Sequence, residues 1–175
     1  MKKSFGLLAL AGLLAATLAA CGDAKTHNDA DVAFAQEMIP HHEQAVEMAD
    51  QALETSDDTD VRALATQIKA AQDPEIETMT TWLEDWDAAM DHADTEGMDH
   101  GGGMMTDAEM KSLATTTGDD FDTALLTLMI KHHDGAVATA ETELDDGKSA
   151  EAKKLAQQII DAQEAEITIM RGLLG

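Results

Sequence analysis

The side chains best suited to chemistry come in a pattern that occurs twice, Met38-Ile39-Pro40-His41-His42 and Met129-Ile130-Lys131-His132-His133. Thioether sulfur and imidazole nitrogen together favour copper, Cu(I) above all, over iron, magnesium or calcium. Silver follows by the same softness. At 3.6 residues per turn, His42 lies about 40° to one side of Met38 and His41 about 60° to the other, so all three border one helical face. Di-iron bundles instead carry Glu-x-x-His on two helices and a further Glu on each of the other two. Here no His has a Glu three residues before it.

Those pentapeptides belong to a duplicated unit. Residues 31–79 align without gaps to 122–170 at an offset of 91, with nineteen of 49 positions identical. The second half of each copy preserves Gln72/Gln163, Glu75/Glu166, Ile76/Ile167 and Met79/Met170. Phe34, Met38, His42, Ala45, Ala49 and Leu53 recur at helical spacing. The run 56–60 then supplies turn and N-cap residues, and Val61, Ala65, Ile68, Gln72, Ile76, Met79 and Leu83 line a second helical face. Pairing these helices about a turn near residue 57 sets His42 level with Gln72, and Glu75, Ile76 and Met79 opposite Met38 and Phe34. Each unit therefore reads as a helical hairpin, and two hairpins related by a pseudo-twofold axis give an all-α four-helix bundle. Met79 and Met170 join Met38, His41, His42, Met129, His132 and His133 as candidate metal ligands. Gln72, Glu75, Gln163 and Glu166 are either ligands or hydrogen-bond partners of the imidazoles. Pro40 removes one backbone hydrogen bond beside the first His pair and predicts a kink there; its repeat mate is Lys131.

The hairpins span 28–90 and 106–175, and the linker 91–105 between them is rich in Gly, Asp, His and Met. Met90-Asp91-His92 recurs as Met98-Asp99-His100, followed by Met104 and Met105. Met90, His92, Met98, His100, Met104 and Met105 are candidates for a second, linker-borne soft-metal site, the alternative being a solvated acidic linker. Thr106-x-x-Glu109 is a capping box that opens a short helix ending near Gly118.

Composition narrows the function further. With 11 Lys+Arg against 35 Asp+Glu the net charge is -24, which repels nucleic acid and leaves no basic groove for phosphates. Aromatics are 3% of the chain and Tyr is absent, against base-stacking platforms and most β-rich folds. Residues 1–20 read as a signal segment: Lys2 and Lys3 precede an apolar run too short for a comfortable membrane span. The run Leu18-Ala19-Ala20-Cys21 resembles a bacterial lipoprotein signal, which implies lipid on Cys21, a tether over 21–27, and a site on the outer face of the cell membrane or in the periplasm. Cys21 is the only cysteine, which excludes disulfides within the chain and Cys-based zinc sites.

The stretches 34–45 and 118–137, with Gln72-x-x-Glu75-Ile76-x-x-Met79-x-x-Trp82-Leu83 and its counterpart Gln163-x-x-Glu166-Ile167-x-x-Met170, resemble the bacterial domain-of-unknown-function family 305. The resemblance covers about residues 28–174. It implies a ferritin-like four-helix bundle, exported and often a lipoprotein, with periplasmic copper-binding proteins among the relatives. Carried over by position, it points to Met38, His41, His42, Met129, His132 and His133 as ligands. Glu43 and Asp134 after the His pairs depart from the family pattern. The expectation is thus an extracytoplasmic copper-binding lipoprotein, not an enzyme, that buffers Cu(I) or passes it to a copper-handling partner. Its oligomeric state is open. A copper- or iron-dependent oxidase and a metal-free envelope interaction module are the rival readings, with a haem bundle behind them.

Overall fold

The computed structural model describes residues 26–88 and 102–175. Cys21 and the linker residues Met90, His92, Met98 and His100 lie outside the described residues. Four long helices and one short one make up the fold: α1 (Asp29–Thr55), α2 (Thr59–Asp85), α3 (Asp107–Leu113), α4 (Asp119–Asp146) and α5 (Ala150–Leu174). Among the described residues there is no strand, and no helix is long and apolar enough to cross a membrane.

Local chemistry sets the boundaries. Asn28 opens α1 with a capping box, its side chain accepting from the Ala30 and Asp31 N–H groups at 3.1 Å while Asp31 accepts from the Asn28 N–H. Asp58 caps α2 through the Asp60 and Val61 N–H groups. Ser149 caps α5 through the Ala152 N–H. Each cap satisfies donors that a helix start otherwise leaves open. The capping box of Thr106 and Glu109 starts α3, as the sequence pattern requires. The helix α1 runs on through Pro40, which leaves one i→i−4 bond unmade without ending it.

Within each hairpin the helices pack along their length, α1 on α2 and α4 on α5, and α1 against α4 forms the main contact between hairpins. The apolar core falls into two separate clusters. One joins Phe34, Met38 and Met79 of the first hairpin to Ala136, Ala140 and Ile159 of the second. The other joins Ala49, Val61 and Ile68 of the first to Phe121, Met129 and Met170 of the second. The first half of α1 thus shares a core with the second half of α4, so the two helices run antiparallel. Met38 and Met79 lie in the first cluster, Met129 and Met170 in the second beside Met48 and Met105, and all six side chains are almost fully buried.

The end of the predicted linker is not a solvated loop. Residues 102–105 lie against the bundle: the Met105 N–H donates to Gln44 Oε1 at 2.7 Å, and Gln44 Nε2 donates to the Met105 carbonyl at 2.9 Å. Met105 is 2% exposed and packs in the same cluster as Met129 and Met170. Gln44 thus holds both backbone groups of Met105. Met104 is only partly buried. The strap crosses α4 at a contact that only glycine allows: a Cβ on Gly135 would lie 1.6 Å from the Gly102 carbonyl oxygen, and one on Gly103 would lie 2.4 Å from the Lys131 carbonyl oxygen.

A buried imidazole layer as the candidate metal centre

Between the two apolar clusters lie the polar side chains that the repeat preserves. His41, His42, His132 and His133 are buried, as are Gln72, Gln163 and Glu166. Antiparallel packing of α1 on α4 brings the middle of each helix to the same level, so a motif at mid-helix in both copies converges there. The His41 and His132 rings come from different hairpins and meet with centroids 3.7 Å apart, tilted by 47°. Those of His132 and His133 are 6.2 Å apart.

Each hairpin then contributes a histidine–carboxylate pair. His42 Nε2 donates to Glu75 Oε2 at 2.8 Å, and His133 Nε2 donates to Glu166 Oε2 at 2.8 Å. The carboxylate that the sequence lacks three residues before each His is supplied by the neighbouring helix. A hydrogen bond of this kind fixes the tautomer, with the proton on Nε2 and a lone pair left on Nδ1. His41 is fixed in the same sense by a backbone group, its Nε2 donating to the Gly102 carbonyl at 2.8 Å.

The simple register argument set His42 against Gln72; the hydrogen bond goes instead to Glu75, one turn further along α2. The Gln72 side-chain amide is buried with neither its nitrogen nor its oxygen hydrogen-bonded, and Gln163 Oε1 is likewise without a partner. Of the four residues left open between ligation and support, Glu75 and Glu166 are therefore the imidazole partners. The two Gln remain buried donor groups without an assigned bond.

The two halves are not equivalent. The Glu166 side chain is 3% exposed, and Gln67 Nε2 donates to its second oxygen at 3.1 Å. The Glu75 side chain is 19% exposed, and the repeat mate of Gln67, Gln158, is solvent-exposed. Neither Gln67 nor the strap at Gly102 was singled out from the sequence, because both act across the hairpin interface.

Five ring nitrogens of the layer are buried without a hydrogen bond: Nδ1 of His41, His42 and His133, and both nitrogens of His132. Burying such groups unpaired costs about 1–3 kcal/mol each, so a layer of them demands a ligand or solvent partner. Burial, followed by the Gly102 contact that works the other way and the neighbouring imidazoles, pulls His41 down to about 4. Burial and the adjacent imidazoles hold His132 well below the usual histidine range. Both rings therefore stay neutral at physiological pH, the form that offers a lone pair. Among the described residues no three His, Cys, Asp or Glu side chains stand together as a ready cage for a metal. Any metal held here must draw on sulfur as well as nitrogen, and the thioethers Met38, Met79, Met129 and Met170 flank the layer in the two clusters.

One consequence concerns His132 alone. Its exchange for leucine removes two unsatisfied buried nitrogens at similar volume. The metal-free protein is then expected to gain about 1–3 kcal/mol of stability. Urea unfolding at pH 7 of wild type and His132→Leu measures this, and an unchanged or lowered midpoint would contradict the unpartnered state of the ring.

Fold and layer together define the class, a ferritin-like helical bundle built by duplication and crossed by an internal stratum of imidazole and carboxamide between thioether-bearing cores. The family model for the domain of unknown function DUF305 matches residues 31–174, and the chain belongs to that family. A DUF305 fragment from Deinococcus radiodurans is 34% identical with a TM-score of 0.78, covering 85% of this chain and 97% of its own. A protein from Streptomyces coelicolor, whose name places it among secreted DUF305 proteins, is 37% identical with a TM-score of 0.75, covering 83% and 91%. CopM in its Cu(II)-bound form is 31% identical with a TM-score of 0.72, covering 82% and 95%; CopM structures also exist with Cu(I) and with silver. Among functionally curated proteins none matches the chain.

Proposed function

We propose that this chain is an exported, lipid-anchored protein that binds copper as Cu(I) in its helical bundle and buffers it or hands it on outside the cytoplasm. The observation that carries this reading is the pair of His–Glu hydrogen bonds, which leave buried Nδ1 lone pairs without partners in a layer flanked by four buried thioethers. Sulfur with neutral imidazole suits a soft monovalent ion, and Cu(I) and silver meet that description. The solved CopM complexes with copper and silver support the same assignment. Met38, Met79, Met129 and Met170 would supply sulfur; His42 and His133, with His41 and His132 between them, would supply nitrogen. Met90, His92, Met98, His100, Met104 and Met105 remain candidates for a second soft-metal site, Met104 being partly buried and Met105 buried. Cys21 would carry the lipid. The acidic surface concentrates cations of every kind near the bundle without selecting among them.

The reading is that of a binding protein rather than an enzyme. Its test is an anaerobic Cu(I) titration against a chromophoric chelator. A second sample carries leucine at Met38, Met79, Met129 and Met170, exchanges that keep core volume and cost less than about 1.5 kcal/mol each. Competition by the wild type that is lost in a still-helical variant is the expected result. Competition surviving in the variant would move the metal to other residues. No competition by the wild type would overturn copper binding, and steady oxygen consumption with Cu(I) in a separate aerobic assay would make the protein an oxidase.

A further inference from the structure

At the far end of the cluster built around Phe34 and Met38, two carboxyl groups are buried against each other. Asp31, in the first turn of α1, is fully buried and accepts backbone N–H bonds from Asn28, Lys148 at 3.0 Å and Ser149 at 2.8 Å. Glu143, near the end of α4, is 1% exposed, and its carboxyl meets that of Asp31. Among the described residues no N–H or O–H group donates to either Glu143 oxygen. Two carboxyls hydrogen-bond only when one of them keeps a proton, and a neighbouring buried like charge makes ionising the second costly.

The surroundings decide which one keeps it. Burial works to raise Asp31, but together with the Glu143 carboxyl its three N–H donors hold it below the ordinary carboxylate range. Glu143 has none: burial, then the hydrogen bond to Asp31 and its charge, push it up to about 8. From α5, Lys153 opposes this shift, but its ammonium donates to the Leu144 carbonyl at 2.7 Å. Space for the Glu143 carboxyl is left by Gly147, where a Cβ would lie 2.1 Å from Oε1. The repeat supplies an internal comparison. At the other end of the bundle Asp122 occupies the place of Asp31, and Ala52 that of Glu143. The acid pair is thus confined to one half and is not required by the fold itself.

What the pair joins is the start of α1 and the turn between α4 and α5, since Asp31 gathers the Lys148 and Ser149 N–H groups and Asn28 Nδ2 donates to the Asp146 carbonyl at 2.9 Å. We propose that the Asp31–Glu143 carboxyl pair is a proton-held latch that fastens the start of the first hairpin to the turn of the second and weakens progressively as pH rises. Loss of the proton leaves two adjacent buried anions, and the only relief is separation of α1 from the turn or entry of water. The half of the core that loosens is the one containing Met38 and Met79.

The experiment follows the Glu143 carboxyl by carbon NMR in the intact, metal-free protein, together with amide exchange at Lys148 and Ser149 corrected for the intrinsic rate. The carboxyl is expected to titrate near pH 8, and protection of the two amides to fall about tenfold per pH unit as pH rises from 6 towards that point and to level off above it, as one linked proton requires. Glu143→Gln, whose side-chain amide donates to Asp31 without titrating, is expected to keep that protection constant from pH 6 to 9. A Glu143 carboxyl titrating in the ordinary carboxylate range overturns the proposal. So does a Glu143→Gln protein that loses protection at the same pH as wild type. The wild-type NMR titration decides the matter even if the variant folds poorly, and because no metal is present the outcome is independent of copper binding.

Discussion

Glu166→Leu is expected to weaken Cu(I) binding by about ten- to a hundredfold without removing a single proposed ligand, the range found when the hydrogen-bond partner of a ligating imidazole is lost. Glu166 Oε2 holds the His133 Nε2–H at 2.8 Å, and Gln67 steadies its other oxygen. Without that acceptor the ring can carry its proton on either nitrogen, and a proton on Nδ1 blocks the lone pair that faces no other partner. Leucine also leaves the Nε2–H buried and unpaired, which costs about 1–3 kcal/mol of fold stability. Glu166→Gln separates these effects: its amide oxygen still accepts from Nε2 but brings no charge, so it should recover most of the stability and part of the affinity. Glu75→Leu should have the smaller effect of the two, since the partly exposed Glu75 position lets water replace the lost acceptor. The chelator competition used for the wild type reads all three variants. Equal affinity in wild type and Glu166→Leu would mean that His133 does not ligate.

How much of this was legible in the sequence depends on where each interaction runs. The hairpins, the turn after Thr55, the caps at Asp58 and Thr106 and the burial of Met38, His42, Ile68 and Met79 follow from spacing within one helix or one turn, and the gapless duplication made the four-helix assembly readable. Local pattern also carried the soft-donor chemistry, because Met and His one turn apart on a buried face are visible as such. What spacing alone could not give is contact between helices. A one-turn difference in pairing moves the His42 bond from Gln72 to Glu75, and nothing in the local sequence decides between them. The His41–His132 contact and the Gly102–His41 bond depend on how the hairpins dock. Met105 misled for a related reason: composition marked it as linker, whereas its burial is imposed by Gln44, sixty-one positions earlier. Gly103 and Gly135 read as ordinary glycines until the strap is laid across α4.

The metal-free protein is expected to be most stable near pH 6.5 and to lose stability on both sides for separate reasons. His41 and His132 are neutral when folded, with affinities for protons below the 6.5 of the free side chain. A depressed folded value means that the unfolded chain takes up more protons as the solution is acidified. The contribution of each histidine is therefore intact above pH 6.5 and is lost as pH falls. For His41, whose window closes near 4, the loss amounts to about 3 kcal/mol at 1.36 kcal/mol per pH unit. Glu143 runs the other way: its folded value is raised to about 8, so its contribution is complete below 4.5 and is lost as pH climbs through 8. Between 6.5 and 4.5 the two histidines outweigh the single carboxyl by one proton, and the folded-to-unfolded ratio should drop about tenfold per pH unit. Cu(I) at a thousand times its dissociation constant adds about 4 kcal/mol to the folded state. Because the metal and the proton compete for the same lone pairs, its addition should carry the acid limb to lower pH and leave the alkaline limb, governed by Glu143, where it was. Urea midpoints from pH 4 to 9, with and without Cu(I), measure both limbs. An acid limb that copper does not move would separate the buried imidazoles from the metal, and an alkaline limb that copper does move would place the acid pair and the metal layer in one cooperative unit.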